Sequence, residues 1–140
     1  MKQIIAWGSC LVFLVTGCAS TNKKLDPTDY PVHTYQQPFD LVFKKALDVL
    51  SQQEGWIIEP TRKGDGIIEL SGTKYTNYWM DMDIQKARFI VKNVGRTQTS
   101  VELDVDHSVC KDKNCLKLLE KVDEVVSALP PPKEPSKPQA

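Results

Sequence analysis

Apolar positions along the chain follow three spacings. Residues 4–15 form an apolar, uncharged run, IIAWGSCLVFLV. Phe39, Val42, Phe43, Ala46, Leu47 and Leu50 recur at steps of three and four, the stripe of an amphipathic helix. Pro38 and Asp40 suit its first turn, where a missing N–H costs nothing and negative charge meets the helix dipole. Asp40 and Lys44 stand four apart on the polar side, spaced for an ion pair. Gly55 is placed to stop the helix. A second stripe, Cys115, Leu118, Leu119, Val122, Val125, Val126 and Leu129, predicts a second helix, with Asp112 or Asn114 as its cap and Pro130 as its end.

Between the helices the period falls to two. Trp56-Ile57-Ile58-Glu59 and Ile67-Ile68-Glu69-Leu70 flank the turn-rich Arg62-Lys63-Gly64-Asp65-Gly66 and predict two short strands. Period alone assigns no face to Ile57 or Ile67. Pro60 cannot donate to a ladder and belongs at a strand end or on an edge. Farther on, Ala87, Phe89 and Val91 alternate with Lys86, Arg88, Ile90 and Lys92. Val101, Leu103 and Val105 alternate with Glu102, Asp104 and Asp106. A three-residue turn, Val94-Gly95-Arg96, sets Phe89 opposite Val101 on the buried face, with Arg88 opposite Glu102 and Lys86 opposite Asp104 on the wet one. The expected fold class is α+β. It is a four-stranded antiparallel sheet with an N-terminal and a C-terminal helix packed on one face, in the order α-β-β-β-β-α.

Composition changes this picture mainly at the ends. A chain of 140 residues, 41% hydrophobic and 26% charged, is sized and composed for one globular domain. Its 18 basic and 18 acidic side chains cancel, which removes the basic footprint of a nucleic-acid binder. The apolar run at residues 4–15 is shorter than the roughly twenty residues a membrane-spanning helix needs. With Lys2 before it and small residues after it, the run reads as a signal peptide.

The run leads into Val15-Thr16-Gly17-Cys18, which resembles the lipobox of bacterial lipoproteins. In that family the cysteine thiol receives a diacylglycerol, the signal is cut just before it, and the new amino group is acylated, often with palmitate. The resemblance implies that residues 1–17 are removed and that Cys18 becomes the lipidated first residue. An ordinary signal peptide with a chance Gly-Cys, or a short anchor, is the plainer alternative. Ala19 and Ser20, with no aspartate at the second position, resemble the pattern that sorts Gram-negative lipoproteins to the outer membrane. The implied location is the cell envelope, lipid-anchored and facing the periplasm.

Prolines divide the remainder: residues 18–36 read as a lipidated tether, 37–129 as a single α+β domain, and 130–140 as a disordered Pro-rich tail. A lipid-tethered helix, four strands and a helix are similar to the helix-grip domains of small envelope lipoproteins. The C component of the outer-membrane β-barrel assembly machinery contains such domains. That resemblance implies a non-catalytic binding or assembly-accessory role with an envelope protein partner. It supplies no site residues.

Three constellations carry candidate chemistry. Glu102, Asp104 and Asp106, with Asp81 and Asp83, offer carboxylates for a hard cation. Alternate residues on a strand lie about 7 Å apart, however, and line a row without converging. A ladder of cross-strand ion pairs is the favoured reading. His107, Cys110 and Cys115 form the second set. In an oxidising compartment Cys110 and Cys115 are expected to form a disulfide that sets the second helix against the last strand. The alternative is a soft-metal or redox pair with His107 as a third ligand, although Cys-x₄-Cys is not the spacing of thiol oxidoreductases. Third, Tyr75, Tyr78, Trp79 and Met80, with Met82, carry residue types enriched at binding surfaces. They read either as core packing or as a partner surface.

No Gly-x-Ser-x-Gly, Walker loop or Gly-x-Gly-x-x-Gly is present. His33 falls in the tether, leaving His107 as the one histidine of the domain. The expectation is a non-enzymatic protein with no catalytic residue, no metal and no cofactor, and with a small-ligand or metal-binding lipoprotein as the alternative.

Overall fold

The computed structural model describes residues 25–75, 82–110 and 113–133. Both apolar stripes are helices. The first, α1 (Phe39–Ser51), buries Val42, Phe43, Ala46 and Leu50; the second, α2 (Asn114–Ser127), buries Cys115, Leu118, Leu119, Val122 and Val126. Val125, at the stripe's margin, stays exposed. Two local expectations are corrected. Asp40 pairs with Lys63 at 2.8 Å and not with Lys44, because the turn after the second strand brings Lys63 alongside. The cap of α2 is Lys113, in the left-handed region at φ 59° and without a side-chain capping bond. Asn114 instead donates its amide to Gln85 Oε1 at 3.0 Å and ties the helix start to the sheet.

The fold is α+β, with five antiparallel strands where four were expected. They are β1 (His33–Tyr35), β2 (Trp56–Ile58), β3 (Ile67–Tyr75), β4 (Met82–Gly95) and β5 (Gln98–Leu103), in the spatial order β1-β5-β4-β3-β2. The additional strand lies within residues 18–36, read from sequence as tether. His33 pairs with Val101 and Tyr35 with Thr99.

Polar bonds hold this edge strand down. Tyr35 donates its hydroxyl to Asp123 Oδ1 at 3.0 Å, and His33 Nδ1 lies 3.1 Å from the same oxygen. Thr99 Oγ1 donates to the Gln37 carbonyl, and Gln37 Nε2 donates to the Pro130 carbonyl. Tyr30 and Tyr35 both enter the core.

Burial, then the hydrogen bond to Asp123 and that carboxylate's charge, push the Tyr35 phenol well above its ordinary 10.0. The folded chain therefore keeps a proton that the unfolded chain loses as pH rises past that value. This contribution to stability is complete below pH 10 and is lost at higher pH. Urea unfolding on either side of pH 10 is expected to show a shallower alkaline loss for Tyr35→Phe than for the parent protein. Equal slopes would remove Tyr35 as the source.

One face of the sheet carries the core. Ile68 and Leu70 on β3, Ala87, Phe89 and Val91 on β4, and Val101 and Leu103 on β5 are all buried with the helix stripes. The parity expected for the β4–β5 hairpin holds, but its register differs by two residues. Phe89 lies opposite Leu103, not Val101, and Val91 lies opposite Val101. The turn is two residues long, Arg96-Thr97, and a bulge between Asn93 and Gly95 takes up the residue assigned to a longer turn. Asn93 Oδ1 accepts the Gly95 N–H at 3.2 Å and supports the bulge. A two-residue shift leaves every side chain on its expected face while changing every partner.

The predicted alternation through Val105 also ends early. β5 stops at Leu103, and Val105–His107 is a 3-10 turn.

Candidate functional site

The helices leave the other face of the sheet open. Register places Ile57, Ser71 and Lys86 in one row and Glu69 beside Arg88 in the next, all on this outer side. After β5 the chain turns through Val105–His107, and Val109 pairs with Lys86 through two backbone bonds of 2.9 and 2.7 Å. Ser108 fixes the turn: its hydroxyl accepts the Arg88 N–H and donates to the Asp104 carbonyl. The turn thereby holds His107 at the margin of the outer face. β3, β4, the segment that follows β2 and this turn enclose a groove of about 470 Å³ lined by Glu59, Arg62, Glu69, Lys86, Arg88 and His107.

Arg88 is the groove's central charge. Its side chain is only 19% exposed, lying between Glu69, 2.9 Å from Nε, and Asp104, 3.8 Å from Nη1. The Nε is shielded from solvent and is not aligned to donate to its carboxylate neighbour. Asp104 Oδ2 also accepts from His107 Nδ1 at 2.8 Å. Glu59 accepts from the Ser71 hydroxyl at 2.6 Å. The expected pairs Arg88–Glu102 and Lys86–Asp104 are not formed. The two-residue register shift gives Glu102 to Lys92 and Asp104 to Arg88. An ion-pair ladder is present, with different members.

The acidic row does not gather. Asp104 faces Arg88 and His107, Glu102 faces Lys92, and Asp106 is exposed on the 3-10 turn. Asp81 lies outside the described residues. Among the described residues no cluster of three or more His, Cys, Asp or Glu is placed to hold a metal ion.

Cys110 and Cys115 form a disulfide, with Cα atoms 5.8 Å apart, joining the segment after Val109 to the first turn of α2. On a chain-entropy argument its short loop contributes about 2 kcal/mol. Urea unfolding with reductant is expected to show that loss. An unchanged midpoint would mean that the reduced chain is equally constrained. His107 is bonded to Asp104 and takes no part in this pair.

Of the aromatic set, Tyr78, Trp79 and Met80 lie outside the described residues, and Tyr75 is described in backbone only, paired with Met82 where β3 meets β4. Two residues that sequence reasoning missed stand near that end of the outer face, Ile57 at 70% and Ile84 at 64% exposure. Ile57 pairs with Ser71 and Ile84 with Thr73. An isoleucine preceding a second isoleucine, and one alternating with Gln85 and Lys86, carried no signal of exposure. Cys18 and the rest of the N-terminal stretch lie outside the described residues. Among the described residues no helix is long and apolar enough to cross a membrane.

Compared with known protein families and with characterised proteins, the sequence matches none.

Proposed function

We propose that this is a bacterial lipoprotein, anchored in the outer membrane through an acylated Cys18 and facing the periplasm, with a non-catalytic binding or assembly-accessory role. The observation that carries the binding role is the outer face of the sheet, which no helix covers among the described residues. Two helices bury one side, while the other presents a groove of about 470 Å³ and two exposed isoleucines, Ile57 and Ile84. Solvent-exposed apolar residues beside organised polar ones are the pattern of a contact surface. The lipid anchor rests on the Lys2, apolar run and Val15-Thr16-Gly17-Cys18 pattern. Two or three acyl chains on one residue suffice for stable membrane attachment. Tyr75, Tyr78, Trp79 and Met80, residue types enriched at binding surfaces, are proposed from the sequence as further contacts of the same partner.

Two measurements test this. Mass spectrometry of the mature protein is expected to find residue 18 as an acylated N-terminus. A mature chain that retains residues 1–17, or starts elsewhere without lipid, overturns the anchor. Photocrosslinkers at positions 57, 84 and 79 in the native envelope are expected to capture one stoichiometric partner that a crosslinker at exposed Glu120 on α2 does not. Equal capture from both positions overturns the surface.

A further inference from the structure

We infer that the outer groove is a site for a carboxylate, such as the free terminus of a short peptide. The inference rests on the proposed reading of this face as the contact surface. Its basis is a surplus of hydrogen-bond donors. Each acid near the groove is already engaged: Glu59 by Ser71, Glu69 by Arg88, and Asp104 by Arg88 and His107. The cations are not. Among the described residues neither Arg62 nor Lys86 has a carboxylate partner, and both line the groove. Arg88 offers a planar fork of N–H donors; its ion pairs engage Nε and Nη1 and leave Nη2 without a carboxylate among the described residues.

Arginine donors in such a fork match the two oxygens of a carboxylate. Charge balance narrows the choice further. Arg62, Lys86 and Arg88 face Glu59, Glu69 and Asp104, so the fixed charges cancel and provide no field for a polyanion. A single negative group with two acceptor oxygens can take the spare donors without unbalancing the site. The groove's volume falls in the range of small-ligand sites, roughly 300–1,000 Å³. Glu69 and Asp104 are positioning residues here, since they hold the guanidinium in place from either side.

The test uses the full lipidated chain, labelled with ¹⁵N in detergent micelles. The probes are N-acetyl-alanyl-alanine with a free carboxylate, the same peptide as its terminal amide, and inorganic phosphate. The acid is expected to shift the backbone amides of Ser71, Lys86 and Arg88, and the amide to leave them in place. Arg62→Gln combined with Lys86→Gln, two exposed positions whose change leaves the core intact, is expected to weaken the acid at least about tenfold. Three results overturn the inference: no shift with the acid at millimolar concentration, equal shifts with acid and amide, or phosphate binding as tightly as the acid. Crosslinking at positions 57 and 84 reads the broader surface separately. A partner captured there without a carboxylate response removes this inference and leaves the proposed function standing.

Discussion

Gly66→Ala is expected to destabilise the domain by roughly 3 kcal/mol, from about 1–2 for left-handed backbone and a similar amount for overpacking. Gly66 ends the 3-10 turn Lys63–Asp65 with φ 68°, where a β-carbon is disfavoured regardless of surroundings. It is also buried against β4. Its carbonyl accepts the Val91 N–H at 2.7 Å, and a β-carbon would stand 2.0 Å from the Val91 carbonyl oxygen. The contact is backbone on backbone, so no rotamer change relieves it, and β3 would have to move off β4 at its first residue.

Two neighbouring glycines separate the causes. Gly55 shares the positive φ, at 79°, but a β-carbon there meets nothing within 4 Å. Gly55→Ala is expected to show the backbone part alone, about 1 kcal/mol. Gly64 is in open space and outside the left-handed region, and Gly64→Ala should fall within about 0.5 kcal/mol of the parent. Urea denaturation of the three variants measures the order. Gly66→Ala no worse than Gly55→Ala would mean that β3 and β4 pack less tightly than these distances require.

The helices were legible because each repeats its apolar spacing over three turns, which tertiary contacts reinforce. Strand faces were legible for a related reason: parity survives small slips. Phe89 points inward whether it meets Val101 or Leu103. Partners were not legible, because the register depends on where one bulge residue sits, and nothing in Asn93-Val94-Gly95 announces it. The groove depends on those partners. Arg88 meets Glu69 only because β3 pairs with β4 along nine residue pairs, from Ile67↔Ile90 to Tyr75↔Met82. Only four residues of β3 had carried a strand signal. β1 was hidden differently. His33-Thr34-Tyr35 has no apolar alternation and sits between Pro31 and Pro38, so its place in the sheet rests on Tyr35 burial and on Asp123, 88 residues away. A buried tyrosine and a polar histidine two apart on a short edge strand do not stand out from a tether. The disulfide was legible because Cys110 and Cys115 stand five residues apart, across a short loop that leads into the second apolar stripe.

Phe89→Ala carries the largest expected loss, about 4 kcal/mol. Phe89 is fully buried and lies in a row with Ile68 on one side and Leu103 on the other, which the helices cover. Truncation leaves a cavity at the centre of the sheet, which neighbouring strands cannot fill without breaking their ladders. For a domain of this size that amounts to a fall in melting temperature of roughly 20 °C. It is a large share of the roughly 5–15 kcal/mol that separates folded from unfolded chains. Phe89→Leu, which keeps most of the volume, should lose about 1–2 kcal/mol.

Arg88, one residue away, points to the opposite face. Arg88→Met is expected to cost roughly 1–2 kcal/mol, since Glu69 and Asp104 lose a partner but both retain some access to water. Calorimetry and carboxylate titration of the two variants then separate what the strand does on each side. Phe89→Ala should lower stability with binding retained in the fraction still folded, and Arg88→Met should abolish binding while lowering the melting temperature by only about 5–10 °C. If Arg88→Met proved the more destabilising of the two, the guanidinium would be a structural keystone of the sheet, and the groove a by-product of satisfying it.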